Sequence, residues 1–114
     1  MFGFGKAARI NKIDARQLQS LLATDTAIVI DVREPDEFAA EHIAGATNLP
    51  LSRFDPAQLP DAGDKTVVLQ CAGGKRSAMA LGRCQHARAV IDTHLAGGLG
   101  AWKSAGLPTV RGDR

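Results

Sequence analysis

Thr66-Val67-Val68-Leu69-Gln70-Cys71-Ala72-Gly73-Gly74-Lys75-Arg76-Ser77-Ala78-Met79-Ala80-Leu81 is the stretch whose reading decides the fold. An apolar run rich in β-branched residues enters a loop with two glycines and leaves it through helix-forming residues, with Ser77 as a capping-type residue at their front. A strand, a tight turn and a helix follow one another, and Cys71 opens the turn. Free N–H groups and the positive end of the helix dipole favour an anion at such a place, whether a thiolate or a bound oxyanion. Lys75 and Arg76 add two positive charges. A thiol in an electropositive, partly exposed turn ionises readily, and the thiolate is the nucleophile. The two glycines let backbone N–H groups turn inward on a shared centre, an arrangement an inert core cysteine does not need.

Outward from this stretch, strands and helices alternate. Ile10 to Ile13 reads as a short edge strand. Asp14 with Gln17 three residues later is a capping box for a helix ending near Ala23. Ala27 to Ile30 has no polar alternation, which marks a parallel strand covered on both faces. Glu34-Pro35 begins a short helix through Ala40, with proline at a tolerated first-turn position. Ala46 to Leu49 is the next strand, Leu51 to Phe54 one helical turn, and 55–64 a surface loop carrying Pro56, Pro60 and Gly63. Thr66 to Gln70 is the central strand, followed by a helix from Ser77 to about Ala87. Ala89-Val90-Ile91 is expected to give the last strand. Gly97-Gly98 turns the chain back toward the cysteine, Gly100 to Ser104 is a last helix, and Gly106 and Pro108 end it. The pattern is that of a three-layer α/β domain with a central, mainly parallel sheet flanked by helices. Ligands of such sheets bind at the carboxyl ends of the strands, where Cys71 stands.

Composition bounds what this domain can be. A chain of 114 residues, 45% hydrophobic and 23% charged, suffices for one domain and is too short for two independent ones. Fourteen basic and 12 acidic residues leave a net charge of +2 without a basic run, and four phenylalanines, one tryptophan and no tyrosine offer little for stacking bases. Nucleic acid is therefore not expected as a partner. The segment 1–9 opens with an apolar stretch that stops at Lys6, too short for a secretory signal, and is expected to be flexible. No stretch approaches the ~20 apolar residues of a spanning helix.

Two cysteines are present. Cys84 lies on the helix that the loop introduces, about ten ångströms from the loop end at ~1.5 Å per residue, too far for a bridge to Cys71. It is expected to be a buried structural thiol. Two unpaired thiols point to a reducing, cytoplasmic setting. Cys71, Cys84, His42, His86 and His94 have no paired ligand spacing, so no metal is expected. His42 is expected to be a structural hydrogen-bonding residue. Asp31 and Arg33 end the neighbouring strand on the same edge as Cys71. Arg33 is expected to pair with Glu37 or Glu41 and fix a loop over the sheet, with Asp31 orienting loop amides. Ser77 is expected to cap the helix.

These motifs together resemble the rhodanese family of sulfurtransferases, whose active loop is a cysteine, four residues and a basic or polar residue. The resemblance runs from about Ile10 to Pro108, through Ile28 to Arg33, Glu37-Phe38, His42 to Asn48, the loop Cys71 to Ser77, Gly97 to Trp102, and Ala105 to Pro108. It implies a rhodanese-like domain over residues 10–110, of the kind found as small cytosolic modules. It also implies a double displacement, in which the Cys71 thiolate takes the outer sulfur of thiosulfate or a persulfide and a thiol or cyanide removes it. Cys71 is then the nucleophile. Arg76 binds the anionic donor or its leaving group, while Ala72, Gly73, Gly74, Lys75 and Ser77 line the cradle. No cofactor is implied, and a protein sulfur donor is compatible; a monomer is the default. Three other readings stand beside it. A phosphatase or arsenate reductase resembles Cys, five residues and Arg, one residue longer than the loop here; the other two are a persulfide carrier with little thiosulfate turnover and an inactive binding module.

Overall fold

The computed structural model describes residues 10–87 and 91–112. Its elements are β1 (Asn11–Ile13), α1 (Ala15–Ala23), β2 (Ala27–Asp31), α2 (Pro35–Ala40), β3 (Thr47–Asn48), short 3-10 turns at Leu51–Arg53 and Pro56–Gln58, β4 (Thr66–Gln70), α3 (Lys75–Ala87), β5 (Thr93–Leu95) and α4 (Gly98–Ser104). The sheet has the order β1-β5-β4-β2-β3, and every pairing is parallel. β4 is the middle strand, which places its C-terminal end at the centre of one sheet edge.

Local chemistry explains the starts of these elements. At α1 the Gln17 N–H donates to Asp14 Oδ1 at 2.8 Å while the Asp14 N–H donates to Gln17 Oε1 at 2.8 Å, the reciprocal box that the sequence announces. At α2, Pro35 occupies the first turn, and the Glu34 N–H donates to Glu37 Oε1 at 2.9 Å. Successive residues of β2 and β4 face opposite sides of the sheet. Val29 and Val68 enter one core with Leu18, Phe38, Ile43, Leu95 and Trp102. Ile30, Val67 and Leu69 enter the other with Phe54, Leu81 and Cys84. Two cores on one sheet make the three layers, with α1 and α4 on one side and α3 on the other.

Several boundaries differ from the sequence reading. The last strand among the described residues is Thr93-His94-Leu95; of the expected 89–91, Ala89 and Val90 lie outside the described residues, and Ile91 sits in the core without joining a strand. An unbroken apolar run makes Ala-Val-Ile the more strand-like stretch by sequence, but the pairing of Thr93 with Val68 and of His94 with Leu69 fixes the register of the strand beside β4. α3 begins at Lys75, two residues before the expected start, because Gly74 at φ +107° turns the chain and its carbonyl already accepts from the Ala78 N–H at 3.2 Å. Ser77 is therefore inside the first turn and does not cap the helix. α4 begins at Gly98 and not at Gly100. The segment 1–9, expected to be flexible, lies outside the described residues.

Candidate active site

The sulfur of Cys71 lies at the C-terminal end of β4, 1% exposed, inside a ring of donors. The Gly74 N–H reaches it at 3.0 Å and the Ser77 N–H at 3.3 Å, while the Ser77 hydroxyl stands 3.6 Å away. Burial pushes the Cys71 thiol up, but the Ser77 hydroxyl and the N–H groups of Ser77, Gly74 and Gly73 outweigh it and hold the thiol below its ordinary value. The Ser77 hydroxyl and the backbone donors, more than the charges of Lys75 and Arg76, carry this effect. Lys75 itself is exposed on the first turn of α3, and Ala72 and Gly73 form the exposed lip of the loop.

The loop is held from outside by α4. The Leu99 N–H donates to the Cys71 carbonyl at 2.8 Å and the Gly100 N–H to the Ala72 carbonyl at 3.0 Å, while Gln70 Nε2 also donates to the Cys71 carbonyl at 2.9 Å. Such close approach of two backbones requires Gly98. A Cβ there would lie 2.3 Å from the Cys71 carbonyl oxygen, and the backbone has φ +58°.

Arg76 is not free. Its Nη1 and Nη2 donate to Glu37 Oε1 and Oε2 at 2.7 and 3.0 Å, a two-pronged pair between α3 and α2. The pair draws Glu37 down to about 2 and raises Arg76, which also feels the charge of Cys71. Glu37 is thus the partner of Arg76, where the sequence reading offered it to Arg33. Arg33 instead grips Asp31: its Nε and Nη2 donate to Asp31 Oδ1 and Oδ2 at 3.0 and 2.9 Å, and its own N–H donates to Oδ1 at 2.9 Å. Nη2 also donates to the Glu41 carbonyl at 2.7 Å, so the glutamate contact is through backbone and not carboxylate. Asp31 is fully buried and Arg33 nearly so. Together they brace the segment between β2 and α2, which carries Glu37 to the loop; neither contacts the sulfur. Glu41 pairs with Lys103.

His94 went unassigned in the sequence reading and is part of this site. Its Nδ1 lies 2.8 Å from Ser77 Oγ, so that Cys71, Ser77 and His94 form a continuous chain from three elements. The signal for it is a polar residue beside the Gly97-Gly98 turn, but it acquires meaning only once β5 is known to be Thr93–Leu95. His42 has the structural role expected of it, with Nδ1 2.8 Å from the Phe38 carbonyl and its ring stacked on Phe38 at 3.7 Å. Cys84, on α3, is fully buried in the core, and both cysteines are unbridged. No helix among the described residues is long and apolar enough to cross a membrane.

The profile of the Rhodanese-like domain family matches residues 14–105. An uncharacterized protein of Synechocystis sp. is 52% identical over 99 residues, which are 87% of this chain and 55% of that protein, so the chain spans about half the length of this relative. A sulfurtransferase of Allochromatium vinosum is 32% identical over 102 residues, covering 89% of this chain and 95% of its own. Among solved structures, a rhodanese-related protein from Thermoplasma volcanium superimposes with a TM-score of 0.74 at 31% identity, covering 88% of this chain and 97% of its own.

Proposed function

Since this chain belongs to the rhodanese-like domain family, we propose that it is a sulfurtransferase working through a persulfide on Cys71. The observation that carries this reading is the pair of N–H groups, Gly74 and Ser77, aimed at one buried sulfur. The Cys71 thiolate attacks the outer sulfur of thiosulfate or of a persulfide donor. A new S–S bond forms on Cys71 as the donor's S–S bond breaks, and sulfite or the donor thiolate leaves with the electron pair. A thiolate or cyanide then attacks the outer sulfur, and the Cys71 thiolate is restored. Both the thiolate and the persulfide are anions, and preorganised backbone donors stabilise each of them without rearrangement.

Lys75 raises the potential at the loop mouth, and Ala72, Gly73, Gly74 and Ser77 line the cradle. Arg76 is proposed to meet the anionic donor by exchanging part of its pairing with Glu37. Asp31 and Arg33 act by holding the segment that bears Glu37. Four residues between Cys71 and Arg76 make a tighter loop than a phosphate would need, which sets sulfur transfer ahead of phosphate ester cleavage. The domain is taken to run over residues 10–110, and its two unbridged thiols suit a reducing cytoplasm.

The test is intact mass after incubation of the reduced protein with thiosulfate and, separately, with a persulfide donor. The expected result is one added sulfur in the wild type and none in Cys71→Ser. Loading by the persulfide alone identifies a carrier with little thiosulfate turnover. Failure of both donors to load a folded protein overturns the reading.

A further inference from the structure

The Ser77 hydroxyl has one proton and three neighbours able to take it. They are the Gly74 carbonyl at 3.1 Å, His94 Nδ1 at 2.8 Å and the Cys71 sulfur at 3.6 Å. Which one receives it depends on the histidine tautomer. A bare Nδ1, the nearest acceptor, takes the serine proton, and the sulfur then gets nothing from the hydroxyl. An Nδ1 bearing hydrogen donates to the serine oxygen and leaves the serine proton to the Gly74 carbonyl or the sulfur anion, of which the anion is the stronger acceptor.

The far side of the ring decides between the two. His94 is 4% exposed, and its Nε2 has no hydrogen-bond partner among the described residues. A buried N–H without an acceptor is rarer in proteins than a buried acceptor left unfilled, which puts the hydrogen on Nδ1. The doubly protonated ring is disfavoured by burial and by Lys12 of β1, the charged group that faces it. Ser77 of α3 and, beyond it, Cys71 at the end of β4 complete its polar surroundings.

We propose that His94 is a positioning residue for the reactive sulfur: its Nδ1–H holds the Ser77 oxygen so that the serine proton points at the Cys71 anion. The assignment rests on the sulfur-transfer reading for its purpose, since a steadier thiolate and persulfide are what that chemistry needs. It does not make His94 a base, because the ring stays neutral and acts through Ser77.

The experiment measures Cys71 acidity, from ultraviolet thiolate absorbance and from the pH dependence of iodoacetamide alkylation, in His94→Leu, His94→Asn, Ser77→Ala and the Ser77→Ala/His94→Leu pair. Circular dichroism and thermal melts establish that each is folded. Without Nδ1–H to hold the serine oxygen, the serine proton can turn to the Gly74 carbonyl, so His94→Leu should raise the Cys71 pKa by about one unit, slowing alkylation near neutrality up to about tenfold. His94→Asn should recover most of this, because its side-chain N–H can occupy the place of Nδ1–H. In the double variant the second substitution should add little, as expected when one residue acts through the other.

A folded His94→Leu with wild-type acidity overturns the proposal, as do additive effects in the double variant. A second inflection near the histidine range, lost in His94→Asn, also overturns it, by making His94 a base. Sulfur loading is followed separately by mass. If acidity shifts as described while no protein, wild type included, loads sulfur, the sulfur-transfer reading falls and the positioning role stands.

Discussion

Replacing Gly98 by alanine should damage both the fold and the sulfur site, and the structure sets the size of the damage. An added Cβ would lie 2.3 Å from the Cys71 carbonyl oxygen and 2.6 Å from the carbonyl carbon and oxygen of Ala72. Ordinary contact is ~3.5 Å, so the two backbones must part by about 1 Å. That movement stretches the Leu99 N–H to Cys71 carbonyl bond from 2.8 Å and the Gly100 N–H to Ala72 carbonyl bond from 3.0 Å toward lengths at which neither is a hydrogen bond. Each lost bond costs about 1 kcal/mol, and an L side chain at positive φ costs about 1 to 2 more.

The expected destabilisation of Gly98→Ala is therefore about 3 to 4 kcal/mol, seen as a melting temperature lowered by roughly 15 °C. Gly106 supplies the control. It also has positive φ, +79°, but a Cβ there meets nothing within 4 Å. Gly106→Ala should cost only the backbone strain, about 1 to 2 kcal/mol. Urea denaturation of the two variants isolates the collision from the strain. Because the Cys71 and Ala72 carbonyls begin the loop that aims Gly73, Gly74 and Ser77 at the sulfur, Gly98→Ala should also raise the Cys71 pKa, whereas Gly106→Ala should not. Equal stability of the two variants, together with unchanged alkylation of Cys71 in Gly98→Ala, would refute the argument that α4 holds the loop by backbone contact.

Cys84→Ser should lose about 1 to 3 kcal/mol in denaturant titrations, through a hydroxyl placed in an apolar core, yet keep its sulfur loading. A folded Cys84→Ser as inert as Cys71→Ser would make the second thiol a resolving partner. Glu37 is held down at about 2 by Arg76, from the 4.5 of an ordinary glutamate. A depressed folded pKa gives stability that is present above the unfolded value and lost as pH falls from 4.5 toward 2, so acid unfolding in that window should be blunted in Glu37→Gln. The pair is about one-third exposed, and its loss at neutral pH should cost no more than about 1 kcal/mol. The same variant frees the Arg76 fork and removes a negative charge, so its KM for thiosulfate should fall. A KM that rises would show that Glu37 presents Arg76 to the donor and does not compete with it.

The sequence by itself determined those features whose causes lie within a few residues of one another. The capping box of Asp14 and Gln17, the proline at the start of α2, the buried run of β2, and the passage from β4 through a glycine turn into α3 all follow from local propensity and period. So does the position of Cys71 at the carboxyl edge of the sheet, because a strand, a short turn and a helix leave it nowhere else. The Asp31 and Arg33 pair was within reach too. Residues i and i+2 at a strand end project to one side, but a buried arginine with Asp31, Glu37 and Glu41 all near in sequence does not announce its choice.

What only the tertiary structure decided are contacts between elements. Glu37 meets Arg76 across 39 residues, His94 meets Ser77 across 17, and α4 reaches back to the Cys71 carbonyl. Each depends on strand order and register: β5 must lie beside β4, and Thr93-His94-Leu95 must supply it. Register is set by how both cores fill at once, a condition on the whole molecule that no short window of sequence contains. The place of Cys71 and the loop donors around it were therefore local information, and the contacts that Glu37, His94 and α4 bring to that loop were not.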